Sequence, residues 1–255
     1  MAVVTFTTDF GSSDGYAGAM KGVVLSLAPD AVLVDISHQV PARDVQAGAF
    51  TLAQAAPFFP PGTIHVAVVD PGVGGARAEV VVAAGGSLFV GPDNGLLSLA
   101  APAPRRAWRI ESPAYRRDPV SPTFHGRDVF APAAGRLAAG WTADGAGPPL
   151  PDIAALVVDR APLAEGGAGE VVHVDRFGNL FTSFVGAVAG GAWLLEIGGR
   201  SLELAGGRTF ADVAPGALLL YAGSGGQVEI AVRDGSAEAL TGAAIGAPLR
   251  LRRRP

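Results

Sequence analysis

The run Val3-Val4-Thr5-Phe6-Thr7-Thr8-Asp9-Phe10-Gly11, and the segment Tyr16–Leu27 that follows it, decide how this chain is read. Residues 3–7 are β-branched or aromatic at every position, the composition of a strand. Ala17, Met20, Val23, Val24 and Leu27 then recur at helical spacing, and Pro29-Asp30 ends the pattern. Residues 31–36 give a second apolar strand. Asp44 stands where an N-cap belongs for a helix over 45–56, which must stop before Pro57. Residues 64–69 make a third strand, ending at Asp70. This β-α-β-α-β order predicts an α/β domain with a mainly parallel sheet and helices on both faces.

Residues 80–84 and 88–90, joined through Gly85-Gly86, predict a hairpin. Residues 101–123 are rich in Pro and Arg and read as a long loop. Residues 129–139 read as a helix with Pro132 in its first turn. Gly, Pro and Asp dominate 142–151, a linker composition that extends through 164–169. Beyond it, residues 170–174, 180–184, 193–197, 202–204, 218–221 and 227–232 are strand-like and separated by glycine-rich turns. One weak helical pattern lies at 236–240. The domains expected are an α/β catalytic domain over 1–150 and an all-β, barrel-like domain over 165–255.

The 255 residues are 49% hydrophobic and carry a net charge of −4, with no cysteine. No broad basic field exists to attract nucleic acid or an anionic membrane. Disulfides and thiolate chemistry are excluded. No apolar run reaches the ~20 residues of a membrane helix, and the chain begins in a strand with no basic-then-apolar leader. A cytoplasmic protein is expected. Arg250, Arg252, Arg253 and Arg254 read as a solvated terminus. No His-x-x-x-His or paired carboxylates stand at metal-ligand spacing, so no metal is expected.

The unusual polar residues gather in short segments. Asp9 and Asp70 both end predicted strands, where ligands of open α/β sheets bind. Asp9 suits a pair of vicinal hydroxyls or a helix cap. Asp70 is followed by Pro71-Gly72-Val73-Gly74-Gly75, a turn that lets backbone approach a ligand; Arg77 follows, and the bland alternative is a surface ion pair. His125, between Phe124 and Gly126-Arg127-Asp128, suits a proton acceptor or a loop histidine. His38 follows a strand and is read similarly, whereas His65 and His173 lie inside strands and read as structural. Asn94 and Asn179, the only asparagines, suit turns or an adenine edge.

In register along the chain, Thr7-Thr8-Asp9-Phe10-Gly11 with Asp14 and Tyr16 after it, Asp35-Ile36-Ser37-His38, Val69-Asp70-Pro71-Gly72-Val73-Gly74, Gly91-Pro92-Asp93-Asn94-Gly95, Thr123-Phe124-His125-Gly126-Arg127-Asp128 and Asp175-Arg176-Phe177-Gly178-Asn179 resemble one family. It is the S-adenosyl-L-methionine (SAM) hydroxide adenosyltransferases, or SAM hydrolases, relatives of the fluorinases and chlorinases. The resemblance implies hydrolysis of SAM to adenosine and L-methionine, with no cofactor. It implies a homotrimer binding its ligand between the N-terminal domain of one chain and the C-terminal domain of the next. It places the catalytic set on Asp70, Arg77 and His125 and the ribose contact on Asp9. Asp175, Phe177 and Asn179 fall on the amino-acid and adenine contacts. Phe124, Ser224 and Arg233 complete the substrate-binding set. Ser183 stands where many relatives carry Asn.

The alternatives are a SAM-dependent halogenase forming 5′-halo-5′-deoxyadenosine, and a SAM or adenosine sensor without turnover. A halide needs a dry pocket and no base, and a sensor needs no catalytic set. Asp70, Arg77 and His125 together favour water, which must be oriented and relieved of a proton.

Overall fold

The computed structural model describes residues 1–164 and 166–254. It divides into two compact units, Met1–Leu156 and Val157–Pro255. The first contains β1 (Val3–Thr8), α1 (Tyr16–Leu27), β2 (Val32–Ser37), α2 (Val45–Ala55), β3 (Ile64–Val68), β4 (Glu79–Ala84), β5 (Ser87–Pro92), β6 (Arg105–Arg109), α3 (Ala131–Ala138) and β7 (Pro149–Leu150). Asp44 caps α2 as expected, its carboxylate accepting the Ala47 N–H at 2.9 Å.

The strands run β2-β1-β3-β5-β4-β6-β7. The first four are mutually parallel, while β4 pairs antiparallel with β5 and β6, and β6 antiparallel with β7. The sheet is therefore mixed, not mainly parallel as expected. Two features cause this. Gly85 and Gly86, at φ +57° and +81°, turn the chain back on itself. Residues 105–109, read as loop, form β6. Their sequence Arg-Arg-Ala-Trp-Arg buries only Ala107 and so carries no apolar signal.

Helices cover both faces. Phe6, Val66, Val68, Val81 and Val90 pack with Met20 and Val24 of α1 and with Ala134 and Leu137 of α3. The alternate residues Ala67, Val69, Val80, Val82 and Phe89 pack with Ala47 and Leu52 of α2. This two-residue alternation follows from the strand pleat. Before α3 the chain makes one wide turn, Gly126–Phe130, in which the Ala131 N–H reaches back five residues to Gly126. The expected linker at 142–151 instead holds a short helical turn, Ala143–Ala146, and β7.

The second unit contains β8 (Ala161–Pro162), β9 (Gly166–Val174), β10 (Leu180–Val185), β11 (Gly191–Ile197), β12 (Arg200–Gly206), β13 (Leu218–Ala222), β14 (Gln227–Val232), α4 (Ala237–Thr241) and β15 (Pro248–Arg253). The order β14-β13-β12-β11-β15-β9-β10 closes through a β10–β14 pairing into a seven-stranded barrel, with β8 added beside β10. Two expectations are corrected. Residues 166–169 belong to β9, not to a linker. The arginine-rich tail is β15, paired with β9 and β11. Leu249 and Leu251 face the core while Arg250 and Arg252 face out beside Glu196. The alternation is a strand signal hidden by the charge.

His65 is structural. It is fully buried in β3, shares a 2.8 Å hydrogen bond with Thr5 Oγ1 and stacks on Phe89 at 5.0 Å. Burial pushes its pKa down to about 4.

Two outcomes follow. Leu251→Ala should cost about 2–5 kcal/mol in urea unfolding, because it empties a buried site, whereas Arg252→Ala should cost less than ~0.5 kcal/mol; equal effects would refute a packed β15. The folded chain prefers neutral His65, so that stability is complete above about pH 6.5 and is lost as pH falls toward 4. On the order of 3 kcal/mol is at stake. His65→Leu should flatten that part of the pH dependence, and an unchanged dependence would contradict the assignment.

Candidate active site

Adjacent parallel strands end at the same edge of a sheet. Thr8 of β1 stands beside Val68 of β3, so Asp9 and Asp70 both emerge at their carboxyl ends. A third segment, residues 121–127, completes the wall of a cavity of about 620 Å3 lined by Asp9, Tyr16, Asp70, Phe124, His125 and Arg127 among others. Asp9 Oδ2 accepts the Arg43 N–H at 2.8 Å. His38 lies outside the lining. It bonds Thr8 Oγ1 at 2.8 Å through Nδ1 and stands 2.9 Å from Asp35 through Nε2, bracing the end of β1.

Two glycines set the fit. Gly74 has φ +75°, and a Cβ there would lie 2.5 Å from the Pro122 carbonyl oxygen. The Asp70 turn can therefore press against the segment that carries His125. A Cβ on Gly126 would lie 3.0 Å from Met20 Sδ and 3.4 Å from the Phe10 ring. Its smallness thus serves close packing onto α1 and Phe10.

Arg77 joins the two sides. Its Nε donates to Asp70 Oδ1 and Oδ2 at 3.1 and 3.0 Å, and Nη2 donates to Oδ2 at 2.6 Å. Nη2 also lies 2.7 Å from His125 Nδ1, and Nη1 donates to Glu79 Oε1 at 2.6 Å. The Asp70 and Arg77 side chains are only 5% and 9% exposed. A guanidinium has donors only, so the Arg77 contact requires His125 Nδ1 to accept, with the ring proton on Nε2; Glu79 Oε1 also stands 3.1 Å from the same Nδ1 and competes with Arg77 for it. Burial and the Arg77 cation push the His125 pKa below its ordinary value; the Glu79 and Asp70 carboxylates partly oppose this, and Arg116 adds to it. His125 is thus neutral near pH 7.

The remaining wall is aromatic. Tyr16 meets Phe124 edge-on at 5.2 Å, and Phe10 meets both at 5.9 and 6.2 Å. Arg127 lies 4.9 Å over the Phe124 ring and pairs with Asp128 through two bonds of 2.8 and 2.7 Å. Asp128 is fully buried and also accepts the Ser121 N–H at 3.0 Å. The Arg127 guanidinium holds its carboxyl below the usual carboxylate range.

The barrel unit has its own cavity of about 740 Å3, lined by Asp175, Phe177, Asn179, Tyr221, Ser224 and Glu229 among others. Asp175 Oδ1 accepts the Phe177 and Asn179 N–H groups, both at 2.9 Å, and Oδ2 accepts Asn179 Nδ2 at 2.8 Å. The turn is locked, and it leaves the Phe177 ring 74% exposed. Tyr221 donates a short hydrogen bond to Glu229, and burial raises both pKa values.

The structure thus gathers Asp9, Asp70, Phe124 and His125 about one cavity with Arg77 behind them, and Asp175, Phe177, Asn179 and Ser224 about the other. Arg233 is not among the lining residues; its Nη1 is anchored to the Val213 carbonyl at 2.8 Å. Ser183 is buried, its Oγ accepting the Glu170 N–H at 3.0 Å. Asn94 holds the Val69 carbonyl at 2.9 Å, a support for the Asp70 turn. Sequence reading includes Tyr16 in the first motif without a role and does not single out Glu79, Tyr221 or Glu229. Glu79 had a signal, since a residue two beyond Arg77 in extended chain shares its side. Tyr221 and Glu229 are directly opposite across β13 and β14. Among the described residues no group of three or more His, Asp or Glu is placed to hold a metal ion, and no helix is long and apolar enough to cross a membrane.

Comparison with known proteins agrees over both units. Residues 4–147 match the SAM hydroxide adenosyltransferase N-terminal domain, and residues 169–250 match the C-terminal domain. The (R)-S-adenosyl-L-methionine hydrolase of Thermus thermophilus is 44% identical, over 98% of this chain and 100% of that protein. The fluorinase of Nocardia brasiliensis is 27% identical, over 90% of this chain and 89% of its own. A crystal structure of an uncharacterized conserved protein from Thermotoga maritima superimposes with a TM-score of 0.89 at 31% identity, covering 99% of this chain and 100% of that one. Two matched domain models in order and a near-full-length relative at this identity settle the kinship: the chain belongs to the SAM hydroxide adenosyltransferase family.

Proposed function

We propose that this chain hydrolyses S-adenosyl-L-methionine at C5′, releasing adenosine and L-methionine. One observation carries the reading: an unbroken hydrogen-bonded chain runs from Asp70 through Arg77 to His125, and both its ends line the cavity. The leaving group is a neutral thioether, so no general acid is required. The demand falls on the nucleophile, which must be one oriented water.

Asp70 accepts a hydrogen of that water, and His125 Nε2–H donates to its oxygen. The second oxygen lone pair attacks C5′ as the C5′–S bond breaks. The protonated alcohol formed is strongly acidic, so a carboxylate already bonded to Arg77 suffices to take its proton. Asp9 holds the ribose hydroxyls, which fixes C5′ in line. SAM is the substrate, and the step consumes only water.

In this proposal the barrel cavity of a neighbouring copy supplies the rest of the contacts in a homotrimer. Asn179 reads the adenine edge, Phe177 stacks on the base and Asp175 holds the ammonium of the methionine part. The exposed Phe177 and the presence of a polar cavity in each unit support this arrangement.

A halogenase reading is opposed by Asp70, because its carboxylate would repel a halide at the position where water is accepted. A sensor has no use for the buried Asp70–Arg77 pair at the cavity wall.

Incubation with SAM should release adenosine and methionine in equal amounts without added halide. No product above background would sink the hydrolase reading, and 5′-halo-5′-deoxyadenosine formed only with halide would replace it. Asp70→Ala should lower kcat by about 10²–10⁴-fold while calorimetry finds SAM binding within about threefold. Loss of binding itself would move Asp70 from chemistry to substrate capture.

A further inference from the structure

Arg77 is held from two sides, and the side away from Asp70 belongs to Glu79. The Glu79 backbone is fixed at the start of β4, opposite Pro92 of β5, and its carbonyl accepts the Ile110 N–H at 2.8 Å. Its side chain is only 16% exposed. Oε1 accepts Arg77 Nη1 at 2.6 Å and also stands 3.1 Å from His125 Nδ1, and Oε2 accepts Arg116 Nη2 at 3.0 Å. Arg116 is tied in turn to the Ile110 carbonyl through Nε at 2.7 Å. The contacts form a rigid bracket: strand, carboxylate, guanidinium.

We propose that Glu79 is a positioning residue of the active site, acting through Arg77 to hold His125 in its Nε2–H form. This rests on the hydrolase reading above for its catalytic consequence, but not for its structural one. Nη2 of Arg77 has two hydrogens. One goes to Asp70 Oδ2 and the other to His125 Nδ1. That division holds only while the guanidinium plane is fixed, and the Glu79 bond to Nη1 fixes its third corner. Without Glu79 the guanidinium is held only along its Asp70 edge, the alignment of Nη2 on Nδ1 loosens, and the imidazole proton is shared between the two nitrogens. His125 would then orient water only part of the time.

Glu79 also sets charge. Asp70 and Glu79 balance Arg77 and Arg116 about a neutral imidazole. The groups that face His125 are these four, and Glu79 is one of the two that raise its pKa. Removal of the Glu79 charge therefore makes His125 harder to protonate. Activity requires neutral His125, so it falls as pH drops through the His125 pKa, and that acid limb lies below the ordinary value of about 6.5.

The variants Glu79→Gln and Glu79→Ala separate the two effects. Glutamine keeps an acceptor for Nη1 but no charge; alanine keeps neither. For SAM hydrolysis, E79Q should hold kcat within about threefold and move the acid limb of the kcat/KM profile down by about half a pH unit or more. E79A should lower kcat by about tenfold or more with KM within about threefold, the pattern of lost orientation rather than lost binding. Long-range 15N–1H spectra report the tautomer without turnover. With four histidines, His125→Gln identifies the signal. The full-length wild type and E79Q should show the Nε2–H form, and E79A a mixture. An E79A protein that keeps the wild-type tautomer, or an E79Q profile that does not move, overturns the role of Glu79. Inactive wild type with the expected tautomers overturns the hydrolase reading and leaves the Glu79 bracket standing.

Discussion

The organisation of the site depends on the placing of one cation. Arg77 contacts Asp70, Glu79 and His125 at once, from a position that is almost wholly buried. An unpaired guanidinium there would be prohibitively costly to desolvate. The two carboxylates offset that cost, and each is carried by a different part of the chain. Asp70 lies two residues past the end of β3 and Glu79 begins β4, so the turn between them is forced to bring its two ends together around Arg77. The ion cluster is less a source of net stability than a means of specifying one geometry.

That geometry is transmitted to the cavity by close backbone contacts. At Gly74 the turn reaches the Pro122 carbonyl, three residues before His125. At Gly126 the next segment is drawn onto Met20 and Phe10, against the first helix. The wide turn at Gly126–Phe130 then accommodates buried Asp128, whose carboxylate ties Arg127 and the Ser121 amide together. Sheet, glycine turns and charge network therefore point to the same wall. Agreement between levels of this kind is what makes a rigid site on a scaffold.

The parts legible in the sequence were those with a local cause. The strand ends at Asp9 and Asp70, the Asp44 cap, the Gly85-Gly86 reversal and Pro132 in the first turn of a helix each follow from a few adjacent residues. β15 escaped because arginines occupy its outward positions and mask a two-residue alternation whose inward members are Leu249 and Leu251, and β6 because arginines stand on both its faces and leave Ala107 as its one buried residue. The mixed sheet escaped for the same reason, since β6 takes part in two of its three antiparallel pairings. At the site, the polar residues of the glycine-rich motifs could be picked out by type. Their partners could not: the Glu79 bond to Arg77 and the tautomer of His125 are matters of ångströms and angles. Arg233 shows the converse, a residue of suitable chemistry that the fold spends on the Val213 carbonyl.

On the proposed mechanism, the choice between water and an anion as nucleophile also follows from this arrangement. A cation beside a cavity ordinarily invites anions, and Arg77 stands next to one. Yet each of its nitrogens is turned to Asp70, Glu79 or His125, and in the proposed tautomer what the chain presents to the cavity is a carboxylate and a neutral imidazole N–H. A halide could accept from the N–H but would face the carboxylate across a few ångströms of low-dielectric space, where like charges repel strongly. In the proposed step water satisfies both groups at once, donating to Asp70 and accepting from His125. In the family reading, then, discrimination against halide needs no steric filter. It follows from burying the positive charge behind the negative one, which is the arrangement that Arg77, bracketed by Asp70 and Glu79, imposes.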